Sequence, residues 1–326
     1  VKNVGVIGAG AFGTALACAA ARAGREVRLW GRDAAVMADL ARSRETAKLP
    51  GLSLPVSVHP IADLAEAAAC EVLILAVPTQ ALREVCIQLA ALVKPGTPII
   101  LAAKGIERAS GDFVSDIARE TLPECQPAVL SGPGFAADIA KAYPTALTLA
   151  CAERALGERL AKAIGSPAFR LYHTADLRGV EIGGSAKNVL AIAAGVAAGR
   201  GFGESTVAAL LARSFAELTR FGHAFGARPS TLAGLSGLGD LILTGTSSRS
   251  RNRRFGEELG KGLSIEAAIA DVGLAEGVWT APILASMAAE KGVEMPIAAA
   301  VADLVAGKAS IDRAIERLLS RPLRAE

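Results

Sequence analysis

Lysine is scarce in this chain, ten residues against twenty-five arginines, and one of the ten sits where a lysine could move a proton. Lys187 lies within Gly183-Gly184-Ser185-Ala186-Lys187-Asn188-Val189-Leu190. If this stretch is helical, the two glycines fall one turn before Lys187 on its own face and leave a notch for a ligand or another domain. An ammonium partly desolvated there loses some preference for the charged form, which moves it toward the range of a general acid or base. A lysine snorkelling at the rim of a buried helix fits the local sequence equally well. Asp240, in Leu235-Ser236-Gly237-Leu238-Gly239-Asp240-Leu241, is a carboxylate in an apolar, glycine-flanked stretch. Such a group needs a partner, either a lysine or a ligand hydroxyl, unless it caps a helix.

Two further stretches suit anions. Gly8-Ala9-Gly10-Ala11-Phe12-Gly13 directly follows a strand-like run and opens a helical one. In that context Gly8 permits a tight turn, Gly10 lets the backbone approach a pyrophosphate, and Gly13 lets helix and strand pack closely. The helix N-terminus adds amide donors, so the segment reads as a dinucleotide site. At the end of the next strand, Trp30-Gly31-Arg32-Asp33 offers both an arginine for the 2′-phosphate of NADP and an acid for the ribose of NAD. Arg32 comes first, which favours NADP, with NAD as the alternative. The second anion stretch, Ser248-Arg249-Ser250-Arg251-Asn252-Arg253-Arg254, combines serine caps with guanidinium at a helix start. It suits the phosphate of a small substrate, with a solvated charge run as the competing explanation. Nucleic acid fits less well: the net charge is only +3 and no stacking aromatics accompany the run.

The elements that must position these groups follow from periodicity. Short β-branched runs at 4–7, 27–30, 72–77, 99–102, 128–130 and 146–149 alternate with Ala- and Leu-rich helical patterns. That pattern predicts a doubly wound, mostly parallel α/β Rossmann sheet, with ligands collecting beyond the carboxyl ends of its strands. Val77-Pro78-Thr79, Ala103-Lys104-Gly105 and Ser131-Gly132-Pro133-Gly134-Phe135 all lie at such ends, and Lys104 presents a cation there. After about His173 the strand signal fades, and Val207, Leu210, Leu211, Phe215, Leu218 and Phe221 recur at helical spacing. Two domains are expected, a dinucleotide-binding domain over 1–175 and an all-α substrate domain over 176–326. The five cysteines form no CxxC pair and the three histidines no ligand spacing, so neither disulfide nor metal is expected. Val1–Ile7 reads as a strand and not as a signal peptide, and the apolar windows fall short of a membrane span, which together point to the cytoplasm.

From residue 8 to residue 280 the stretches GAGAFGTALA, LWGRD, AAKGIE, LSGPGFAADIA, GGSAKNVLAIAAG, GLSGLGDLILT, SRSRNRRFG and LAEGVWT resemble the bacterial-type NAD(P)-dependent glycerol-3-phosphate dehydrogenase family. The resemblance implies reversible reduction of dihydroxyacetone phosphate to sn-glycerol 3-phosphate, a supply for phospholipid synthesis, by a homodimer with a helical second domain. It makes Lys187 the proton donor and acceptor, supported by Lys104 and Asp240 at the reacting centre. Lys104, Gly132, Gly134, Asp240, Ser250, Arg251 and Asn252 become substrate contacts. Besides the glycines of the loop, Ala11, Phe12, Arg32, Lys104, Ala136, Arg251, Leu274 and Glu276 would touch the cofactor. Two positions depart from the family pattern. Gly134 stands where many members carry a hydroxyl, so that contact is missing or made by backbone, and Ala11-Phe12 replaces the commoner Ser-Tyr. A ketopantoate or β-hydroxyacid reductase of the same build needs a carboxylate pocket and has less use for the arginine run. A non-catalytic dinucleotide sensor would leave Lys104, Lys187 and Asp240 without a task.

Overall fold

The computed structural model describes residues 1–273 and 275–322. It divides into two compact units, Val1–Lys104 with Asp112–Glu181, and Gly105–Gly111 with Ile182–Glu326. The first unit is built on eight strands: β1 (Asn3–Ile7), β2 (Glu26–Trp30), β3 (Val58–Ile61), β4 (Val72–Leu75), β5 (Pro98–Leu101), β6 (Gln126–Ser131), β7 (Thr145–Cys151) and β8 (Phe169–Thr174). They form one sheet in the order β3-β2-β1-β4-β5-β6-β7-β8. All neighbours are parallel except β6 and β7, where Ala128 pairs with Cys151 and Ser131 with Thr148. The reversal of strand order around β1 is the topology that leaves a ligand crevice at the strand ends.

Successive residues of each central strand serve opposite faces, as the period of two requires. Val6, Ile74, Ile100 and Leu130 enter one core, while Ile7, Leu73, Leu75, Ile99, Leu101 and Val129 enter the other. Both faces being buried explains why the central strands read as continuous apolar runs. The helices of this unit are α1 (Ala11–Arg22), α2 (Ala34–Ser43), α3 (Leu64–Ala68), α4 (Thr79–Ala90), α5 (Val114–Thr121), α6 (Ala136–Ala140) and α7 (Arg154–Ile164). Strands β3 and β8 lie outside the sequence-based expectation, and both are edges. Pro60 within β3 demotes that run in sequence, yet an edge strand has a free side where a missing N–H costs nothing.

The second unit is helical. It comprises most of α8 (Leu177–Gly199), then α9 (Glu204–Ala224), α10 (Pro229–Leu232), the π-helical turn Leu235–Gly239, α11 (Asp240–Thr246) and α12 (Arg251–Gly260). It continues with α13 (Ile265–Val272), α14 (Glu276–Glu290), α15 (Pro296–Val305) and α16 (Ile311–Leu319). At 23 residues α8 is long and apolar enough to cross a membrane, which corrects the expectation drawn from shorter windows. Most of it is buried within the fold and it carries Glu181 and Lys187, so it is a core helix. It meets α12 backbone to backbone. A Cβ on Gly195 would lie 2.0 Å from the Arg253 carbonyl oxygen, and one on Gly256 the same distance from that of Ile192. Only glycine at these contacts lets α12 lie close enough for Asn252, near its start, to reach Asn188.

Candidate active site

The chemistry-bearing residues form two clusters, one within each unit. In the first, Gly8 has φ +117°, a left-handed conformation, and a Cβ on it would lie 2.7 Å from the Ala76 carbonyl oxygen. A Cβ on Gly13 would lie 1.9 Å from the Gly8 carbonyl oxygen, so both are held to glycine by the protein itself. At Gly10 a Cβ would meet nothing within 4 Å. Its smallness serves no packing contact, which fits a backbone kept clear for a pyrophosphate. Gly10 caps α1 without a side-chain hydrogen bond, and the first α1 amides, from Ala11 onward, have no intrahelical acceptor. The Thr79 and Ser131 hydroxyls, just beyond β4 and at the end of β6, are buried without a hydrogen-bond partner. An open glycine, unspent amides and two orphaned hydroxyls at strand ends are what a dinucleotide site requires.

Around the loop lie three cations. Lys104 donates to the Gly132 carbonyl oxygen at 2.9 Å and stands 5.6 Å from the centre of the Phe12 ring. Lys48 donates to the Ala9 carbonyl oxygen at 3.2 Å, within the glycine loop. Nothing in the sequence marked Lys48, because it lies 39 residues from Ala9 and reaches it only through the fold. Arg32 is exposed and makes no ion pair among the described residues. Asp33, the acidic alternative beside it, caps α2 by accepting from the Val36 amide at 3.1 Å. Gly132 has φ +141°, while Gly134 is confined: a Cβ there would come within 3.1 to 3.2 Å of Ile139, Leu147 and Thr145. That packing leaves little room for a side chain at this position. Ala136 opens α6.

In the second unit Lys187 is 6% exposed and Asp240 1% exposed. The lysine ammonium donates to Asp240 Oδ1 at 2.7 Å and to Thr244 Oγ1 at 2.8 Å, and Thr244 in turn donates to Asp240 Oδ1 at 3.2 Å. Asp240 is therefore a partner of the lysine and not a helix cap. Burial and the carboxylate act on the ammonium in opposite directions, the first against its charge and the second for it. Thr244 escaped the sequence reading, although its place four residues after Asp240 on one helix puts the two on the same face. The notch expected before Lys187 is filled, since a Cβ on Gly183 would lie 2.4 Å from the Ser236 carbonyl oxygen of the π-helical turn. The glycine there seats Asp240's own segment against α8.

The arginine run separates into different tasks. Ser250 is buried and accepts from the Arg253 amide at 3.2 Å, capping α12. Asn252 donates to Asn188 Oδ1 and accepts from the Gly277 amide, each at 2.9 Å, tying α12 to α8 and α14. Arg253 pairs with Glu257 and Arg254 with Asp271. Arg251, exposed in the first turn of α12, has no acidic partner among the described residues. Glu276 opens α14, and Leu274 lies outside the described residues.

Comparisons with known proteins follow the same division. Residues 3–157 match the family of the NAD-dependent glycerol-3-phosphate dehydrogenase N-terminus, and residues 176–316 that of its C-terminus. The glycerol-3-phosphate dehydrogenase, NAD(P)+, of Azorhizobium caulinodans is 57% identical over 99% of this chain and 98% of its own length. That of Afipia carboxidovorans is 54% identical over 100% of this chain and 98% of its own. The crystal structure of glycerol-3-phosphate dehydrogenase from Coxiella burnetii superposes with a TM-score of 0.93 at 33% identity, covering 98% of this chain and 99% of that one.

Proposed function

The chain belongs to the NAD-dependent glycerol-3-phosphate dehydrogenase family, and from that membership we propose that it interconverts dihydroxyacetone phosphate and sn-glycerol 3-phosphate with Lys187 as general acid and base. The enzyme class and its NAD(P) dependence are those of the family. The observation that carries the assignment of the proton is the buried trio of Lys187, Asp240 and Thr244. NAD(P)H, which the Gly8–Gly13 loop and the first amides of α1 would hold, would supply a hydride for the ketone carbon. As negative charge develops on the ketone oxygen, Lys187 donates a proton to it, and in the reverse direction the lysine amine takes that proton from the hydroxyl. Asp240 and Thr244 hold the Nζ atom in one place, so the transfer starts from a fixed geometry. The resemblance also assigns Lys104 an electrostatic part in the reaction. Arg251 and the first amides of α12 hold the substrate phosphate, and this remote binding energy fixes the reacting end.

The preference for NADP(H) over NAD(H) rests on Arg32 being exposed and without an ion pair among the described residues, while Asp33 is engaged as a cap. The five cysteines are all free thiols, which suits a reducing, cytoplasmic setting and an enzyme that feeds phospholipid synthesis. A homodimer is the assembly carried over from the resemblance, and light scattering reads it directly. The function itself is tested by the absorbance of reduced cofactor. NADPH should be consumed with dihydroxyacetone phosphate and regenerated with sn-glycerol 3-phosphate. Consumption with ketopantoate in place of dihydroxyacetone phosphate would overturn the assignment.

A further inference from the structure

The second unit carries an open cleft of about 640 Å³ that shares no residue with the Lys187 cluster or the Arg251 helix start. One wall is α14 and the other is the segment 108–111, with Phe225 and Val305 completing it. The volume lies in the range of small-molecule sites. Its lining is unusual for solvated surface. Trp279 is 37% exposed, and the Arg108 guanidinium lies 4.7 Å from the centre of its ring. Its indole N–H donates to no group among the described residues, whereas Trp30, the other tryptophan, is buried and donates to the Ala62 carbonyl oxygen. At the C-terminal end of the same wall the Lys291 ammonium lies 5.4 Å from the centre of the Phe225 ring. Lys291 has no acidic partner within ion-pair distance among the described residues. The acidic residue beside it, Glu290, accepts from the Ser286 hydroxyl at 3.1 Å. Between the two cation–aromatic pairs the floor is apolar, with Pro282, Ile283 and Met287.

An exposed indole with an unspent donor, two cations on aromatic faces and an apolar floor select for one kind of ligand. We propose that this cleft binds a small organic anion, with Lys291 taking a carboxylate or phosphate head and the floor and Trp279 taking an apolar body. Neutral apolar molecules lack a partner for the Lys291 ammonium, and inorganic anions leave the aromatic and apolar surface wet, so each half alone binds weakly. The site is separate from the reaction proposed above, and its occupancy does not depend on that reaction.

The test uses the full chain with Trp30→Phe, which leaves Trp279 as the one tryptophan. Octyl phosphate, kept below its micelle concentration, is titrated while Trp279 emission is read. A saturable change is expected, with octanol and inorganic phosphate at least about tenfold weaker, as the loss of one charge-assisted contact or of the apolar body requires. Lys291→Ala should raise the Kd for octyl phosphate by about tenfold or more, while Arg251→Ala, at the other anion cluster, should leave it unchanged. A non-saturating change, equal binding of octanol, or an unaltered Kd in Lys291→Ala overturns the proposal, and loss of binding in Arg251→Ala moves the anion to the substrate site. Should Trp30→Phe fail to fold, calorimetric titration of the unaltered chain and of Trp279→Ala reads the same Kd, and equal affinity of the two overturns it.

Discussion

Replacing Lys187 by methionine separates what the lysine does for the fold from what it does for the reaction. Asp240 is 1% exposed, and the substitution leaves its carboxylate buried with the threonine hydroxyl but without the cation. Breaking a buried pair from one side costs about 3–5 kcal/mol. For a unit of this size that corresponds to a fall in Tm of roughly 6–20 °C. Loss of the general acid should independently lower kcat by about 10²–10⁴-fold. The two effects are distinguished by a second substitution. Lys187→Met with Asp240→Asn removes the orphaned charge, so thermal unfolding should recover much of the lost stability while steady-state oxidation of NADPH stays as slow as in the single variant. Lys187→Arg should also remain slow, because a guanidinium keeps its proton at any working pH. The assay is run well below the lowest Tm of the set, with circular dichroism confirming that each variant is folded. If Lys187→Met turns over at nearly the rate of the unaltered chain, or if the double variant regains activity together with stability, the lysine acts through the fold alone.

Four further outcomes follow from the same geometry. Arg32→Ala should weaken NADPH binding by about 1.5–3 kcal/mol and spare NADH, and equal loss for both cofactors in calorimetric titration would remove Arg32 from the 2′-phosphate. Lys48→Ala should weaken both cofactors alike, since Lys48 stands at the glycine loop and not at the end of β2; a loss confined to one of them contradicts this. Arg251→Ala should raise KM for dihydroxyacetone phosphate strongly and lower kcat as well, and unchanged substrate kinetics would count decisively against it. Glu217 on α9 accepts from the Ile297 and Ala298 amides at the start of α15, and burial raises its carboxyl from 4.5 to about 7. A carboxyl whose folded pKa is raised contributes stability that is full below its unfolded value and lost as pH climbs through the folded one. Between about pH 5 and about pH 8 denaturant unfolding should therefore show stability falling, and Glu217→Gln should flatten that slope; an unchanged slope would show that Glu217 is not the titrating group.

What could be read without coordinates was local. The glycine loop at 8–13 declares itself because turn, pyrophosphate approach and helix packing each demand glycine at a fixed spacing within six residues. The central strands announce burial on both faces by unbroken apolar runs, and α9 by its stripe from Val207 to Phe221. Lys187 and Asp240 could each be singled out, one by rarity and the other by its apolar surroundings. That they form one pair, 53 residues apart, was settled only when α8 and the π-helical turn met at Gly183. The same contact turned the expected notch into a packing surface. Among SRSRNRR the residue types alone do not say which arginine is free. Ser250 and Asn252 went to holding α12, Arg253 and Arg254 went to acids one turn or more away, and Arg251 has no acidic partner among the described residues. Edge strands β3 and β8 and the hydroxyl of Thr244 stayed out of view for a common reason. Residue types and spacing encode what a segment can do within a few turns of chain, whereas which partner a side chain spends itself on depends on elements brought together from across the sequence.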